Sequence, residues 1–389
     1  MDSPHIMTTY GRYPLTLVRG DGAKVYDDQG REYLDFVAGI AVNTLGHNHP
    51  DLIGAITEQA QTMLHCSNLY HIPQQQQLAT RLCQLSGLDR AFFCNSGAEA
   101  NEAAIKLTRK FFFDQPSTRH TIITANQSFH GRLLATIAAT GQEKVKVGFS
   151  PLPTGFIHVP LNDLDALSAA IDPSTAAILL EPLQGEGGVN LAHPDYLRGV
   201  RRLCDQQGLL LILDEIQTGI GRTGSMFAFE QAGICPDMLT LAKGLGGGVP
   251  IGALLATERV AASFTPGSHG STFGGNPLSC AAANCVLEVI ERDDLLTNVQ
   301  QRSTQLITAL QQLAMRGKGM VVRGQGLLLG LDCGQSVAEI ITTCRQRGLL
   351  LLPAGPNVLR LLPPLTITRQ EIDQAVEILT AVLKEYHWI

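Results

Sequence analysis

Short apolar runs alternate with longer segments of helical periodicity through the middle of the chain. The runs predict β-strands at 91–94, 121–124, 176–180 and 209–213, and the periodic segments predict helices at 99–112 and 196–207. Strands that alternate with helices in this way form a mostly parallel sheet covered by helices. We therefore predict a large α/β domain over residues 51–275, with its ligand site beyond the carboxyl ends of the strands.

The two ends of the chain show different patterns. Residues 1–50 contain short apolar stretches separated by the turn-forming segments 20–22 and 27–30, which predict a small antiparallel meander. Residues 276–389 predict a second, smaller α+β domain. Its last element is an amphipathic helix that begins at a capping box starting at Thr368.

Composition narrows the class of protein. With 389 residues, 44% hydrophobic and 16% charged, the chain suits a soluble enzyme of two or three domains. A net charge of −6 and the lack of a lysine or arginine block argue against nucleic-acid binding. We find no secretory signal and no apolar stretch of about 18 residues, so we expect a cytoplasmic protein that does not bind membranes. The nine cysteines form no Cys-x-x-Cys pair, and His47 and His49 lack a third ligand, so no metal is expected.

Lys243 stands in an unusual setting, between an apolar run and a glycine-rich segment, and it is the only lysine between Lys146 and Lys318. Desolvation favours the neutral amine, which can form a Schiff base with a carbonyl. Asp214 ends a strand-like run and supplies an anion that can keep a pyridine nitrogen protonated. This pair fits pyridoxal 5'-phosphate. The structural alternatives are a surface turn at Lys243 and a helix cap or metal ligand at Asp214.

Two further segments carry candidate binding groups. The segment 94–101 follows a strand and opens a helix, and Gly97 lets an anion approach the free N–H groups there, so it can bind a phosphate. After the next strand, Phe129 can stack on a flat ring and Arg132 can grip a carboxylate with two hydrogen bonds. The alternatives are a plain helix start, a core phenylalanine and a surface arginine.

The segment 219–224 matches the Gly-x-Gly-x-x-Gly pattern of dinucleotide-binding proteins. That pattern requires its first glycine directly after a strand and a helix opening at its last glycine. Here residues 214–218 intervene and no helix start follows, so we reject an NAD-dependent oxidoreductase.

Six motifs resemble, in order and spacing, those of the class III pyridoxal-phosphate aminotransferases. They are Cys-Asn-Ser-Gly-Ala-Glu-Ala-Asn-Glu at 94–102, Phe-His-Gly-Arg at 129–132, Glu-Pro-Leu-Gln-Gly-Glu-Gly-Gly at 181–188, Asp-Glu-Ile-Gln-Thr-Gly-Ile-Gly-Arg-Thr-Gly at 214–224, Ala-Lys-Gly-Leu-Gly-Gly-Gly at 242–248 and Gly-Ser-Thr-Phe-Gly-Gly-Asn-Pro at 270–277. The resemblance covers nearly the whole chain. It implies the fold type I (aspartate-aminotransferase-like) architecture, with a mostly parallel seven-stranded sheet in the large domain, and an active site shared across a homodimer.

The resemblance also implies an activity. The expected reaction is transamination of N2-acetyl-L-ornithine with 2-oxoglutarate, a step of arginine biosynthesis. Related enzymes of the class act on succinyl-diaminopimelate, succinylornithine, ornithine or 4-aminobutyrate, and these donors stay open as alternatives. A pyridoxal-phosphate-binding protein without activity is a further alternative, but it would not need two carboxylate anchors.

The same resemblance assigns roles to residues at the site. Lys243 is expected to bind the cofactor covalently and to carry the proton, Asp214 to pair with the pyridinium, and Gln217 to reach the ring hydroxyl. The complete set of expected cofactor-binding residues is Gly97, Ala98, Phe129, Asp214, Glu215, Ile216, Gln217, Lys243 and Thr272, the last contributed by the partner subunit.

Four residues are expected to bind the substrates. Arg360 resembles the arginine that grips the α-carboxylate of glutamate, with Glu186 as the switch that neutralises it. Arg132, with Ser271 nearby, resembles the residue that takes the carboxylate of the other substrate. Asn68 and Tyr70 are further candidates for the wall of an acyl pocket.

Overall fold

The computed structural model describes residues 5–389. Its strands are β1 (Leu17–Asp21), β2 (Lys24–Asp27), β3 (Glu32–Asp35), β4 (Arg90–Cys94), β5 (Thr121–Ala125), β6 (Phe156–Val159), β7 (Thr175–Leu180), β8 (Leu183–Gln184), β9 (Asn190–Leu191), β10 (Leu210–Asp214), β11 (Met238–Leu241), β12 (Gly252–Ala256), β13 (Val321–Gln325), β14 (Leu328–Asp332), β15 (Leu349–Leu350), β16 (Leu352–Pro353) and β17 (Val358–Leu361). Its helices are α1 (Ala38–Ala41), α2 (Pro50–Thr62), α3 (Pro73–Ser86), α4 (Gly97–Phe113), α5 (Leu134–Ala139), α6 (Leu164–Ala169), α7 (Pro194–Gln207), α8 (Glu258–Ala261), α9 (Pro277–Arg292), α10 (Leu295–Arg316), α11 (Ala338–Gln346) and α12 (Arg369–Glu385). Short 3₁₀ helices lie at Glu143–Val145, Ala228–Ala232 and Lys243–Gly246.

A seven-stranded sheet forms the centre of the α/β region, in the order β4-β12-β11-β10-β7-β5-β6. β12 runs antiparallel to both of its neighbours, and the other neighbouring strands run parallel. The predicted fold class, with its mostly parallel seven-stranded sheet, is therefore confirmed. The sequence pattern predicted β4, β5, β7 and β10 within one residue at each end, whereas β6, β11 and β12 were not predicted.

Both faces of this sheet are packed. In β10, Leu211 and Leu213 belong to one apolar cluster, whereas Leu210 and Ile212 belong to another. Successive side chains of a strand point to opposite faces, so the two clusters lie on the two sides of the sheet. This is why β10 and its neighbours consist of continuous apolar runs rather than alternating patterns.

The two ends of the chain meet in a second sheet. β1, β2 and β3 form the antiparallel meander, and β15 then pairs with β3 in parallel. A further four-stranded sheet, in the order β13-β14-β17-β16, is formed entirely by residues after 320. The division of the chain into residues 1–50, 51–275 and 276–389 stays a prediction.

Side-chain caps determine where two of the C-terminal helices begin. α12 begins at the predicted capping box, in which the Thr368 side chain and the Glu371 side chain each bond to the other's backbone N–H. α9 starts after Asn276, whose side chain accepts from the Ser279 N–H. Across residues 5–389, we find no helix that combines the length and the apolar character needed to cross a bilayer.

The turn α1 is left-handed rather than helical in the usual sense. Ala38, Gly39, Ile40 and Ala41 have φ angles of 47°, 65°, 66° and 62°. Residues with a Cβ rarely adopt this region, so the surrounding structure must hold them there. Asp35 contributes, because its Oδ1 accepts hydrogen bonds from two backbone N–H groups at the start of the turn.

Candidate active site

A cavity of about 420 Å³ opens at the carboxyl ends of the parallel strands. This is where ligands of open α/β sheets bind. Residues from five of the six motifs line it, including Asn95, Gly97, Ala98, Phe129, His130, Arg132, Glu181, Glu186, Asp214, Ile216, Gln217 and Lys243. The structure thus brings together most of the residues that the sequence singled out.

Lys243 lies directly after β11, at the first position of a 3₁₀ turn, and has a φ of 43°. Burial lowers the pKa of its amine below the ordinary value, more than the carboxylates of Glu186 and Asp214 raise it. Among the described residues, no side chain hydrogen-bonds to Nζ. A lysine with a lowered pKa in an open cavity is suited to act as a nucleophile and a proton carrier.

Asp214 ends β10 and is held by hydrogen bonds on both carboxylate oxygens. Its Oδ2 accepts from Asn101 Nδ2 at 2.7 Å and lies 2.8 Å from His130 Nδ1, while its Oδ1 accepts from the Ile216 N–H at 3.1 Å. Thr240 Oγ1 in turn donates to Asn101 Oδ1. The carboxylate is therefore fixed in one orientation inside the cavity.

The N-terminus of α4 borders the cavity. Ser96 Oγ accepts from the Glu99 N–H and so caps the helix, and Glu99 Oε2 accepts from the Asn95 N–H at 2.5 Å. Gly97 packs against the Ile216 side chain so closely that a Cβ there would lie 2.7 Å from Ile216 Cδ1. The first turn of this 17-residue helix therefore presents free N–H groups to the cavity, where they can bind a phosphate.

Glu186 and Arg360 form an ion pair at the edge of the cavity, with Oε1 and Nη1 2.5 Å apart. The same Nη1 donates to the Gly185 carbonyl, and Gln217 Nε2 donates to Glu186 Oε1. Arg360 is 2% exposed, whereas Glu186 is 31% exposed. Burial alone would raise the pKa of Glu186, but the guanidinium outweighs it and the pKa is lowered.

Phe129 and Arg132 lie together on the loop after β5. The Arg132 guanidinium carbon is 5.8 Å from the centre of the Phe129 ring, and Arg132 is exposed. The Phe129 N–H donates to Glu181 Oε2, which ties the loop to the end of β7. Burial, together with the nearby Asp214 carboxylate, raises the pKa of Glu181 well above its ordinary value.

Glu215 does not border the cavity, although it was expected to bind the cofactor. It is fully buried and accepts hydrogen bonds from the Ala228 and Phe229 N–H groups and from Thr218 Oγ1. Burial raises its pKa to about 7 in spite of these donors. The structure places Glu215 as a brace for the loop after β10.

Ser271 and Thr272 also lie outside the cavity lining. Ser271 Oγ accepts from Asn95 Nδ2, and the Asn68 side chain donates to the carbonyls of Ser271 and Gly274. Thr272 is exposed. Asn68, expected in an acyl pocket, thus clamps the loop that carries Thr272, and Tyr70, expected beside it, is 69% exposed.

Three buried residues of the site, Asn101, His130 and Glu181, had no predicted role. His130 lies within the motif at 129–132, directly after Phe129, and Glu181 begins the motif at 181–188, directly after a predicted strand. These positions could have indicated that both residues belong to the site. Asn101 is one helical turn beyond the N-terminus of α4, and an amide at that position has no local signature.

The residues fit pyridoxal phosphate. A buried, hydrogen-bonded carboxylate, a half-buried lysine and the N-terminus of a long helix face the same cavity, and each matches one part of that cofactor: the ring nitrogen, the aldehyde and the phosphate. The Phe129 ring borders the same space.

Comparisons with other proteins agree with this geometry. The sequence profile of the family described as aminotransferase class-III matches residues 6–383. The acetylornithine aminotransferase of Thermosynechococcus vestitus is 54% identical over 394 residues, which covers 97% of this chain and 95% of the relative. That of Myxococcus xanthus is 50% identical over 373 residues, which covers 95% of this chain and 93% of the relative.

Solved structures give the same result. The N-acetylornithine aminotransferase of Stenotrophomonas maltophilia K279a matches with a TM-score of 0.84 and 41% identity over 97% of each chain. The ornithine aminotransferase of Toxoplasma gondii ME49 matches with a TM-score of 0.94 and 33% identity, covering 98% of this chain and 93% of that one. Another structure of the Toxoplasma gondii enzyme has pyridoxal phosphate at partial occupancy in its active site. The chain therefore belongs to the class III aminotransferases, which are pyridoxal-phosphate-dependent enzymes.

Proposed function

We propose that this enzyme transfers the δ-amino group of N2-acetyl-L-ornithine to 2-oxoglutarate, giving N-acetyl-L-glutamate 5-semialdehyde and L-glutamate. The curated relatives at about 50% identity carry the name acetylornithine aminotransferase over nearly the full chain. The structural observation that supports the proposal is the Glu186–Arg360 pair at the edge of the cavity that contains Lys243. The reaction places the enzyme in arginine biosynthesis.

On the cofactor side, each residue has one task. Pyridoxal phosphate, when bound, supplies an electron sink for the carbon that loses its proton. Asp214 holds the ring nitrogen protonated, because Asn101 and His130 keep its carboxylate oriented and satisfied. Phe129 would stack on the ring, Gln217 would reach the ring hydroxyl, and the backbones of Gly97 and Ala98 would hold the phosphate, since all four line the cavity. Lys243 anchors the cofactor and moves the proton at the reacting carbon.

On the substrate side, one cavity must accept two different amines. The δ-amine of acetylornithine lies far from its carboxylate, whereas the α-amine of glutamate lies beside its own. The carboxylate anchor must therefore change while the reacting nitrogen stays in place. Arg132 binds the carboxylate of acetylornithine while Glu186 neutralises Arg360. When glutamate binds, Glu186 swings away and Arg360 grips the α-carboxylate.

We also propose a homodimer in the cytoplasm. Thr272 lies on an exposed loop outside its own cavity, and Phe273 next to it is 60% exposed. The neighbouring segment is bound to this loop through the Asn68 side chain, and Leu69 on that segment is 86% exposed. An exposed apolar patch of this kind marks an interface, and a second subunit placed there would receive Thr272 at its cofactor phosphate.

The proposed reaction can be tested by following the visible absorption of the purified holoenzyme while amines are added without a keto acid. We expect N2-acetylornithine to bleach the cofactor band at about tenfold or more lower concentration than ornithine or 4-aminobutyrate, because its acylated α-nitrogen carries no positive charge beside Arg132, unlike that of ornithine, and because 4-aminobutyrate is the shorter molecule. Stronger bleaching by ornithine would move the assignment to the activity named for the Toxoplasma gondii enzyme. A protein with no band after addition of pyridoxal phosphate would overturn the proposal.

Replacing Glu186 by glutamine should separate the two half-reactions. Once residue 186 carries no negative charge, Arg360 stays available to carboxylates during both half-reactions. We expect kcat/KM for acetylornithine to fall about tenfold or more, since the unpaired Arg360 guanidinium then binds the carboxylate of this substrate in the wrong place. In contrast, kcat/KM for glutamate should change less than about threefold. Single-turnover rates for each amine measure this ratio. An equal fall for both amines would contradict the switch.

A further inference from the structure

Thr44 lies in the interior, where the segment after α1 passes the turn that carries Lys243. Thr44 is 2% exposed, and its Oγ1 donates to the Gly244 carbonyl at 2.9 Å. This hydrogen bond joins residues 200 positions apart in the sequence. Because Gly244 directly follows Lys243, the bond fixes the backbone on the carboxyl side of the lysine.

The backbone at Lys243 needs support of this kind. Its φ of 43° lies in the left-handed region, which a residue with a Cβ adopts only when its surroundings hold it there. The contact with Thr44 is also close, because a Cβ on Gly244 would lie 2.6 Å from Thr44 Oγ1. Glycine at 244 and a hydroxyl at 44 therefore depend on each other.

Thr44 is itself held from the opposite direction. Its carbonyl accepts from the Leu365 N–H at 2.9 Å, and the Phe36 carbonyl accepts from the Leu362 N–H at 2.8 Å. These bonds fasten the segment to the chain directly after Arg360. The hydroxyl of Thr44 is thus presented to Gly244 from a fixed position rather than from a mobile loop.

Since no side chain of the described residues hydrogen-bonds to Lys243 Nζ, the place of the amine depends on the backbone that carries it. We propose that Thr44 is a positioning residue for Lys243, whose hydroxyl sets the backbone geometry that directs Nζ into the cavity. The inference rests on the proposed role of Lys243 as the reacting amine. It adds to the site a residue that touches neither substrate nor cofactor.

The test compares Thr44→Val, which removes the hydroxyl and keeps the branched shape, with Thr44→Ser, which keeps the hydroxyl. We expect the valine variant to lower kcat about tenfold with KM changed less than about twofold, since a misplaced amine slows proton transfer without altering substrate contacts. The pH midpoint of the holoenzyme's visible absorption should also move by about half a unit or more, because the environment of Nζ changes. The serine variant should stay within about twofold of the wild type in both measurements.

Thr124→Val is the matched control. Thr124 is also a fully buried threonine whose hydroxyl donates to a distant carbonyl, that of Ala139 at 2.8 Å, but it does not line the cavity. Its removal should lower the melting temperature of the cofactor-free protein and leave the absorption midpoint in place. A Thr44→Val protein that is folded, with kcat within about twofold of the wild type and an unmoved midpoint, would overturn the proposal.

A second experiment keeps the Thr44 hydroxyl and displaces Gly244, whose carbonyl accepts its hydrogen bond. Gly244→Ala should lower kcat about tenfold, because the new Cβ pushes against Thr44 Oγ1. In a Thr44→Ser background, where the smaller side chain can rotate away, at least about threefold of that loss should return. Equal losses in both backgrounds would also overturn the proposal. Failure of the proposed function is distinguishable, since the wild type itself would then lack turnover or an absorption band.

Discussion

Replacing Lys243 by alanine should lower turnover of acetylornithine with 2-oxoglutarate by at least about 10⁴-fold. Among residues 5–389, Lys243 is the only lysine that lines the cavity, and burial lowers the pKa of its amine. The variant keeps the helix N-terminus and Asp214, so it should still bind pyridoxal phosphate without a covalent bond. Coupled assay of glutamate formation measures the loss, and the absorption maximum reports the changed attachment.

Lys318→Ala provides the control for this experiment. Lys318 is exposed and lies far along the chain from the cavity residues, so its loss should leave turnover within about twofold of the wild type. A Lys243→Ala protein that retained more than a few per cent of normal turnover would show that another group moves the proton.

Replacing Asp214 by asparagine should lower kcat by about 10³-fold. The change keeps the shape of the side chain but removes the charge that Asn101 and His130 orient, so the ring nitrogen loses its anionic partner. Pre-steady-state measurement of proton loss from the substrate carbon should show that this step carries the effect. The affinity for pyridoxal phosphate should fall as well.

Asp237→Asn is the matched control for Asp214. Asp237 is also a buried carboxylate next to a strand, but it lies directly before β11, at the opposite end of the strands from the cavity, where it binds Arg201 and the Leu211 N–H. Its replacement should reduce the melting temperature more than it reduces kcat. If the two variants lost turnover to the same extent, the loss at Asp214 would reflect stability rather than chemistry.

The central sheet could be predicted because its signal is local. Each of the strands predicted is a continuous apolar run, α4 starts at the Ser96 side-chain cap, and α12 starts at a capping box that two residues define. β12 escaped prediction because its five residues, Gly252–Ala256, follow a glycine-rich segment directly and carry no turn signal of their own. Its antiparallel direction depends on the path of the chain around Lys243, which periodicity does not encode.

The site was predictable to the extent that motifs mark the ends of strands. Asp214 ends β10 and Lys243 lies just after β11, and the structure places both at one cavity. Glu215 follows Asp214 by one residue, and the chain turns so that its carboxylate bonds to the Ala228 and Phe229 N–H groups instead. The contacts of Asn101 with Asp214 and of Thr44 with Gly244 cross 113 and 200 residues, so no local pattern could reveal them.

The pairing of β15 with β3 has a consequence for how the protein is made. The meander of β1, β2 and β3 leaves the ribosome before β15, so the open edge of β3 receives its partner only when Leu349 and Leu350, about 300 residues later, have been synthesised. Until then that edge presents unpaired N–H and C=O groups. A chain that stops before residue 349 keeps the edge open, so nascent or truncated copies should associate through it, and the meander needs protection until β15 has been made.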